Sequence, residues 1–242
     1  MTNPPHSAEY QGPPTAWVIF PLGTAGFLLG TLDMRILLIA LSLLTIARAE
    51  LDLAPLEGWI SQQKSMKTLD AQFDQERKLP SLKKPVTTTG RLRMIRPGKL
   101  LWELGDPVKT MAVSDGTTMT LVDVTKKRGK AIDANSTKAR QFTLLTNEAF
   151  TNLEGFKEAF EPIESRVVSG IYQLTVKPKE RAMRKQVAWV FLDIDTKTKE
   201  LRALALELSD KSRIRTVFTK SKMNGKIDAS VFTPDLSGYT IR

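Results

Sequence analysis

Apolar residues fall into two rhythms along this chain, and the change from one to the other comes early. Leu53, Leu56, Trp59, Ile60, Met66 and Leu69 recur at helical spacing, which predicts an amphipathic helix from Ala54 to about Met66. From Leu69 onward the spacing shortens to two. Ala71 and Phe73 alternate with Asp70, Gln72 and Asp74; Leu92 and Met94 with Arg91 and Arg93; Leu100, Trp102 and Leu104 with Leu101, Glu103 and Gly105. The same alternation runs through Tyr172, Leu174 and Val176, through Val187, Trp189 and Phe191, through Leu204, Leu206 and Leu208, and on to Ile214 and Phe218. Turn dipeptides such as Pro97-Gly98, Asp115-Gly116 and Asn224-Gly225 punctuate the runs. Short alternating strands in succession predict a mainly β (α+β) domain, a strongly curved antiparallel sheet or incomplete barrel. One stretch breaks the rhythm. Thr137 to Phe160 carries Phe142, Leu144, Leu145, Phe150, Leu153, Phe156 and Phe160, and predicts one or two short helices with an apolar side. An apolar concave face needs a cover, and this insertion and the first helix are the expected cover.

Ahead of the domain, Met34 to Ala49 has the three parts of a secretory signal peptide in order. Arg35 is the positive region, Ile36 to Ile46 the apolar run, and Ala47-Arg48-Ala49 an A-x-A cleavage site. The mature protein is expected to begin at Glu50, outside the cytoplasm. Residues 1–33 hold a second apolar run, Ala16 to Leu32, but Pro21, Gly23, Gly26 and Gly30 interrupt it and Asp33 closes it, which makes a poor spanning helix. The simplest expectation is an upstream extension ahead of a true start at Met34; the rival is an uncleaved anchor built from both runs. The expected organisation is therefore extension 1–33, signal peptide 34–49 and a single domain over 50–242.

Composition narrows the chemistry of that domain. The chain holds 36 Lys+Arg against 26 Asp+Glu, a net charge of +10, and no Cys; its one histidine is His6. A domain starting at Glu50 thus lacks a thiol nucleophile, an imidazole base, a disulfide and an ordinary zinc site. A carrier or binding protein is expected rather than an enzyme, with no cofactor and no metal. No Cys follows the cleavage site to receive a lipid anchor, so the product is expected to be soluble. The run Lys126-Lys127-Arg128-Gly129-Lys130 would suggest nucleic acid in a cytosolic protein. Behind a signal peptide it reads as a solvated hairpin tip, with weak attraction to an anionic surface as the functional alternative. Asp193 and Asp195 share one side of a strand, but Thr196-Lys197-Thr198-Lys199 follows, and a hairpin turn is the better reading than a metal site.

Several motifs resemble one known family in its own order. Ile95-Arg96-Pro97-Gly98-Lys99-Leu100-Leu101-Trp102 resembles the Arg-Pro-x-x-x-x-Trp signature of the periplasmic outer-membrane lipoprotein carrier family, LolA. Phe73-Asp74-Gln75 resembles its first-strand F-x-Q, Gly90 opens the next strand, and Val113-Ser114-Asp115-Gly116 resembles its V-S-D-G turn. Asn224-Gly225 to Phe232-Thr233-Pro234 resembles its closing segment. After the S-D-G turn this chain has Met119, Thr120, Leu121 and Val122 where the family often has aromatics.

The resemblance implies a monomeric carrier that binds acyl chains of lipoproteins in an apolar cavity. It implies an ATP-driven exporter complex of the inner membrane as donor, an outer-membrane lipoprotein receptor as acceptor, and no nucleic acid. On pattern alone, alternating apolar strands mean an ordinary closed core. The resemblance turns the concave face into a container, and Leu92, Met94, Leu100, Trp102, Leu104, Met111, Val113, Met119, Leu121, Trp189 and Phe191 are the residues expected to line it. Phe142, Leu144, Leu145 and Phe150 are expected in the lid. Arg96 shares the parity of Leu92 and Met94, so it should point to the apolar face, where an unpaired charge is costly. Its five donors suit backbone carbonyls at the end of a lid helix, and the resemblance implies that latch role; the alternative is a surface arginine at a strand end. Two further readings are a carrier of the same fold for another lipid or glycolipid export pathway, and a lipoprotein-sensing regulatory module.

Mass spectrometry of the secreted protein is expected to give an amino terminus at Glu50. A mature terminus upstream of Met34 would exclude the extension reading.

Overall fold

The computed structural model describes residues 51–136, 139, 150 and 152–242. The first element is helix α1 (Ala54–Ser65), in the predicted place. Pro55 stands in its first turn, where a missing N–H costs nothing, with Glu57 in the first turn and Lys64 in the last, each at the favourable end of the helix dipole. Six strands follow: β1 (Thr68–Lys78), β2 (Val86–Ile95), β3 (Lys99–Leu104), β4 (Thr110–Asp115), β5 (Thr118–Asp123) and β6 (Arg128–Asp133). Then come helix α2 (Leu153–Ala159), β7 (Phe160–Val168), β8 (Ile171–Pro178), the short helix α3 (Arg181–Arg184), β9 (Val187–Asp195), β10 (Leu201–Leu208) and β11 (Arg213–Met223). A 3₁₀ turn at Ala229–Phe232 and β12 (Thr240–Ile241) end the chain.

All twelve strands belong to one sheet, in the order β12-β6-β5-β4-β3-β2-β1-β11-β10-β9-β8-β7. Sequential hairpins build both halves, and β1 and β11, eleven residues each, join them antiparallel at the centre. Only β12 pairs parallel, on β6. The sheet is curved and does not close. A register shift at Gln72/Phe73 adds local bend to the central pair.

The inner face carries the main core. Leu56, Trp59 and Ile60 of α1 and Phe156 of α2 join Phe73, Leu92, Leu100, Trp102, Leu174, Leu192 and Leu204 of the sheet in one buried cluster. A second, smaller cluster lies on the outer face, where Phe232 of the 3₁₀ turn packs with Leu101 and Val113. Asn224-Gly225, read from sequence as a turn, ties the end of β11 to the helix–strand junction instead. The Lys67 N–H donates to Asn224 Oδ1 at 2.7 Å, and Thr68 Oγ1 donates to the Gly225 carbonyl at 2.7 Å.

Two glycines make close approaches possible. Gly98 (φ +79°) lies against the turn at Gly116, where an added Cβ would be 2.6 Å from the Gly116 Cα. Gly90 lies opposite Phe73 on the inner face. A Cβ there would lie 2.3 Å from the Phe73 ring and 2.6 Å from the Glu103 carbonyl oxygen. The bare backbone lets that ring lie over β2 and meet Trp102, ring centres 4.6 Å apart.

Gly90→Ala should therefore destabilise the domain by about 1–3 kcal/mol, the usual cost of overpacking, although Ala suits a strand better than Gly. Urea denaturation measures it. An unchanged midpoint would mean that Phe73 moves aside freely.

Candidate functional site

A cavity of ≈ 510 Å³ lies on the inner face, walled by β1, β3, β4, β5, β6, β10 and β11. Its apolar lining comes from Trp102, Leu104, Ala112, Leu121, Leu204, Leu206 and Ile214. Gln75 and Thr216 form a polar bridge within it, Gln75 Nε2 donating to Thr216 Oγ1 at 3.2 Å. Both side chains are buried. Strand direction places the cavity at one end of the sheet, where Arg77, Arg128 and Lys130 are exposed. Arg77 and Leu104 are near the carboxyl ends of β1 and β3, while Thr110, Arg128 and Ile214 are near the amino ends of β4, β6 and β11, and antiparallel pairing brings these ends to one side.

Arg96 follows the carboxyl end of β2, at the other end of the sheet. Its Nη1 donates to the Gln63 carbonyl in the last turn of α1 at 2.7 Å. Helix carbonyls at that end lack intrahelical donors, and a cation there also meets the negative end of the dipole. Arg96 Nε and Nη2 are buried with no hydrogen-bond partner among the described residues. Burial without an anionic partner pushes the guanidinium below its ordinary pKa. A smaller cavity of ≈ 50 Å³ adjoins this end of α1, between Trp59, Gln63, Met66, Met94 and Phe218. The helix whose end Arg96 holds is α1.

The structure sorts the expected lining residues by face. Leu92, Leu100, Trp102 and Met119 are buried in the inner cluster, and Leu104 and Leu121 pack against it and line the cavity. Met94 is buried beside α1. Val113 does not belong with them, and Met111 shares its strand face. Trp102 pairs with Ala112 across β3 and β4, so Ala112 faces inward while Val113, with Met111 against it, packs on Leu101 and Phe232 outside. Met111 nevertheless lines the cavity. Trp189 and Phe191 are also on the outer face. Val190, Leu192 and Ile194 supply the inward side of β9, while Lys177 Nζ lies 5.5 Å from the Trp189 ring centre and the Arg213 guanidinium 4.6 Å from that of Phe191. Both errors arise in strands that are apolar on both faces, where alternation cannot reveal parity.

Of the expected lid residues, Phe142, Leu144 and Leu145 lie outside the described residues. Phe150 is fully buried. Its ring centre lies 5.3 Å from Trp59, 5.6 Å from Phe156 and 5.7 Å from Phe160, an aromatic cluster joining it to α1 and α2. Asp195 acts as a turn residue. Its Oδ1 accepts from the Lys197 and Thr198 N–H groups and its Oδ2 from Arg202, which hold the carboxyl down to about 2. Asp193 pairs with Arg215 at 2.8 Å. The sequence reading missed Gln75, Thr216, Leu204, Leu206 and Ile214 as cavity residues, although their spacing of two from Phe73, Leu208 and Phe218 was available.

The family model described as Outer membrane lipoprotein carrier protein LolA matches residues 64–235. An outer-membrane lipoprotein carrier protein of Pseudomonas fluorescens is 27% identical over 205 residues, 84% of this chain and 93% of that protein. One from Chromohalobacter salexigens is 27% identical over 173 residues, 70% of this chain and 77% of that protein. Among solved structures, a LolA superfamily protein from Nitrosomonas europaea aligns with a TM-score of 0.41 and 7% identity, covering 77% of this chain and 99% of its own. The family match runs from the last turn of α1 past the 3₁₀ turn, well over half of the chain, and the chain belongs to the outer-membrane lipoprotein carrier family, LolA.

Proposed function

We propose that this protein is a periplasmic carrier that shelters the acyl chains of lipoproteins in the inner-face cavity and moves them from the inner to the outer membrane. The observation that carries the reading is a cavity of ≈ 510 Å³ with mainly apolar walls in a member of this family. Such a volume lies within the range of about 300–1,000 Å³ common to ligand sites. The physical need is large. An acyl chain of some fifteen methylenes, at ~0.8 kcal/mol each, resists water by roughly 12 kcal/mol. Leu121, Leu204, Leu206 and Ile214 offer a surface that removes it. The work is sequestration, without bond chemistry. An ATP-driven exporter complex of the inner membrane would load the carrier and an outer-membrane lipoprotein receptor would unload it.

Arg96 is the proposed latch of the closed form. One guanidinium bond holds the end of α1, whose Leu56, Trp59 and Ile60 fill the inner face. Opening that contact would let α1 shift and enlarge the space available to cargo. Re-forming it would favour release.

Leu121→Glu or Ile214→Glu should leave secretion intact and lower co-purifying lipoprotein by about tenfold, since a carboxylate facing acyl chains loses its hydration. Val217→Glu, on the same strand as Ile214 but exposed, should carry cargo normally. Equal behaviour of all three variants would place the cargo elsewhere.

Arg96→Leu should load as well as the parent but transfer more slowly, because a charged hydrogen bond worth about 1.5–3 kcal/mol no longer favours the closed state. Lysine should rescue poorly, lacking the fork. Separate assays of loading and transfer decide this. Transfer at the parent rate by both variants would show that Arg96 has no latch role.

A further inference from the structure

Three cations stand at the open end of the cavity. Arg77 follows Phe73 and Gln75 at spacing two on β1, and Arg128 and Lys130 share the parity of Ile132, which packs against the inner cluster. Lys130 pairs with Leu121 across β5 and β6, and Arg77 lies on the β1–β2–β11 side, directly beyond Gln75. These positions are five strands apart in the sheet, yet all three side chains line one cavity because the sheet curls.

Their pairing differs from that of the outer face. There Arg91 holds Asp70, Arg93 holds Glu103, Arg202 holds Asp195 and Arg215 holds Asp193. At the cavity, among the described residues, Arg77, Arg128 and Lys130 enter no ion pair. The one carboxylate of the lining among the described residues, Asp123, lies across from Arg128 in register but contacts Lys126, whose backbone N–H donates to Oδ1 at 3.0 Å and whose Nζ lies 3.7 Å from Oδ2. Like charges sharing a mouth repel one another, and an anion placed between them removes that cost. Below them the wall is mainly apolar, interrupted by the Gln75–Thr216 bridge.

We propose that the cavity takes an amphiphile with an anionic head group, its chain along the apolar wall and its head among Arg77, Arg128 and Lys130. The inference rests on the reading of this cavity as the acyl site and adds a second class of ligand that it would take beside lipoprotein acyl chains. A phosphate on a lipid supplies the chemistry: several acceptor oxygens for two guanidinium forks and an ammonium. Each contact is exposed and modest on its own. Together they select among molecules that the apolar wall alone cannot tell apart.

Two ligands with the same chain isolate the head group. Equilibrium dialysis of the secreted protein against 1-oleoyl lysophosphatidic acid and against 1-oleoyl glycerol, both below micelle formation, should show about tenfold tighter binding of the phosphate-bearing lipid. The preference should shrink between 0.1 and 1 M NaCl, as the screening length falls from about 10 to 3 Å. A triple variant, Arg77→Gln with Arg128→Gln and Lys130→Gln, should lose the preference and keep the affinity for oleoyl glycerol. Inorganic phosphate alone at millimolar concentration should displace neither lipid; displacement would indicate a phosphate site independent of the chain and overturn the amphiphile. Equal affinity for the two lipids, a preference insensitive to salt, or one that survives the triple substitution would overturn the head-group inference while leaving the acyl cavity standing. Binding of neither lipid would overturn the acyl cavity itself.

Discussion

An apolar inner face on a sheet that curls without closing has to be covered or filled, and that constraint organises the molecule. Near the carboxyl end of β2 the solution is filling. Leu56, Trp59 and Ile60 of α1 enter the curve, Phe150, Phe156 and Phe160 pack behind them, and Phe73 lies across Gly90 to reach Trp102. Toward the opposite end the walls stand apart, leaving a cavity between the two halves of the sheet. The same alternation that makes a core at one end makes a container at the other.

Charge is distributed to match. On the outer face Arg91 and Arg93 meet carboxylates one strand away, and Arg215 of β11 reaches across β10 to Asp193 of β9. Among the described residues, cations that enter no ion pair stand at both ends of the inner face. Arg96 is buried at the closed end and has a single carbonyl for company; Arg77, Arg128 and Lys130 are at the open end. A buried guanidinium with unmet donors is costly. Its single bond to the end of α1 leaves much of that cost unmet.

Much of the fold was legible because the sequence alternates cleanly where one face of a strand is wet. β1 and β2 are such strands, with charged residues between Ala71, Phe73, Leu92 and Met94, and their inward residues are as expected. The family motifs were equally legible as residue patterns, although their contacts are not local: Phe73 meets Trp102 across the sheet and Arg96 reaches Gln63. β4 and β9 were not. Met111, Ala112 and Val113 are all apolar because Phe232 covers the outer side, and Trp189 and Phe191 look inward on paper because Lys177 and Arg213 cover them outside. In both cases the deciding partner is remote in sequence.

By itself, then, the sequence determined the element types, the order of the hairpins, the helical start, and the residue that would stand charged at the end of an apolar face. Those are local matters of period, turn chemistry and parity. Only the tertiary structure decided which helix Arg96 holds, which side of β4 and β9 is inside, and where the walls leave space. Curvature is the reason. Bringing Lys130 of β6 and Arg77 of β1 to one cavity depends on twist and bend accumulated over six strands, and no window along the chain records that sum.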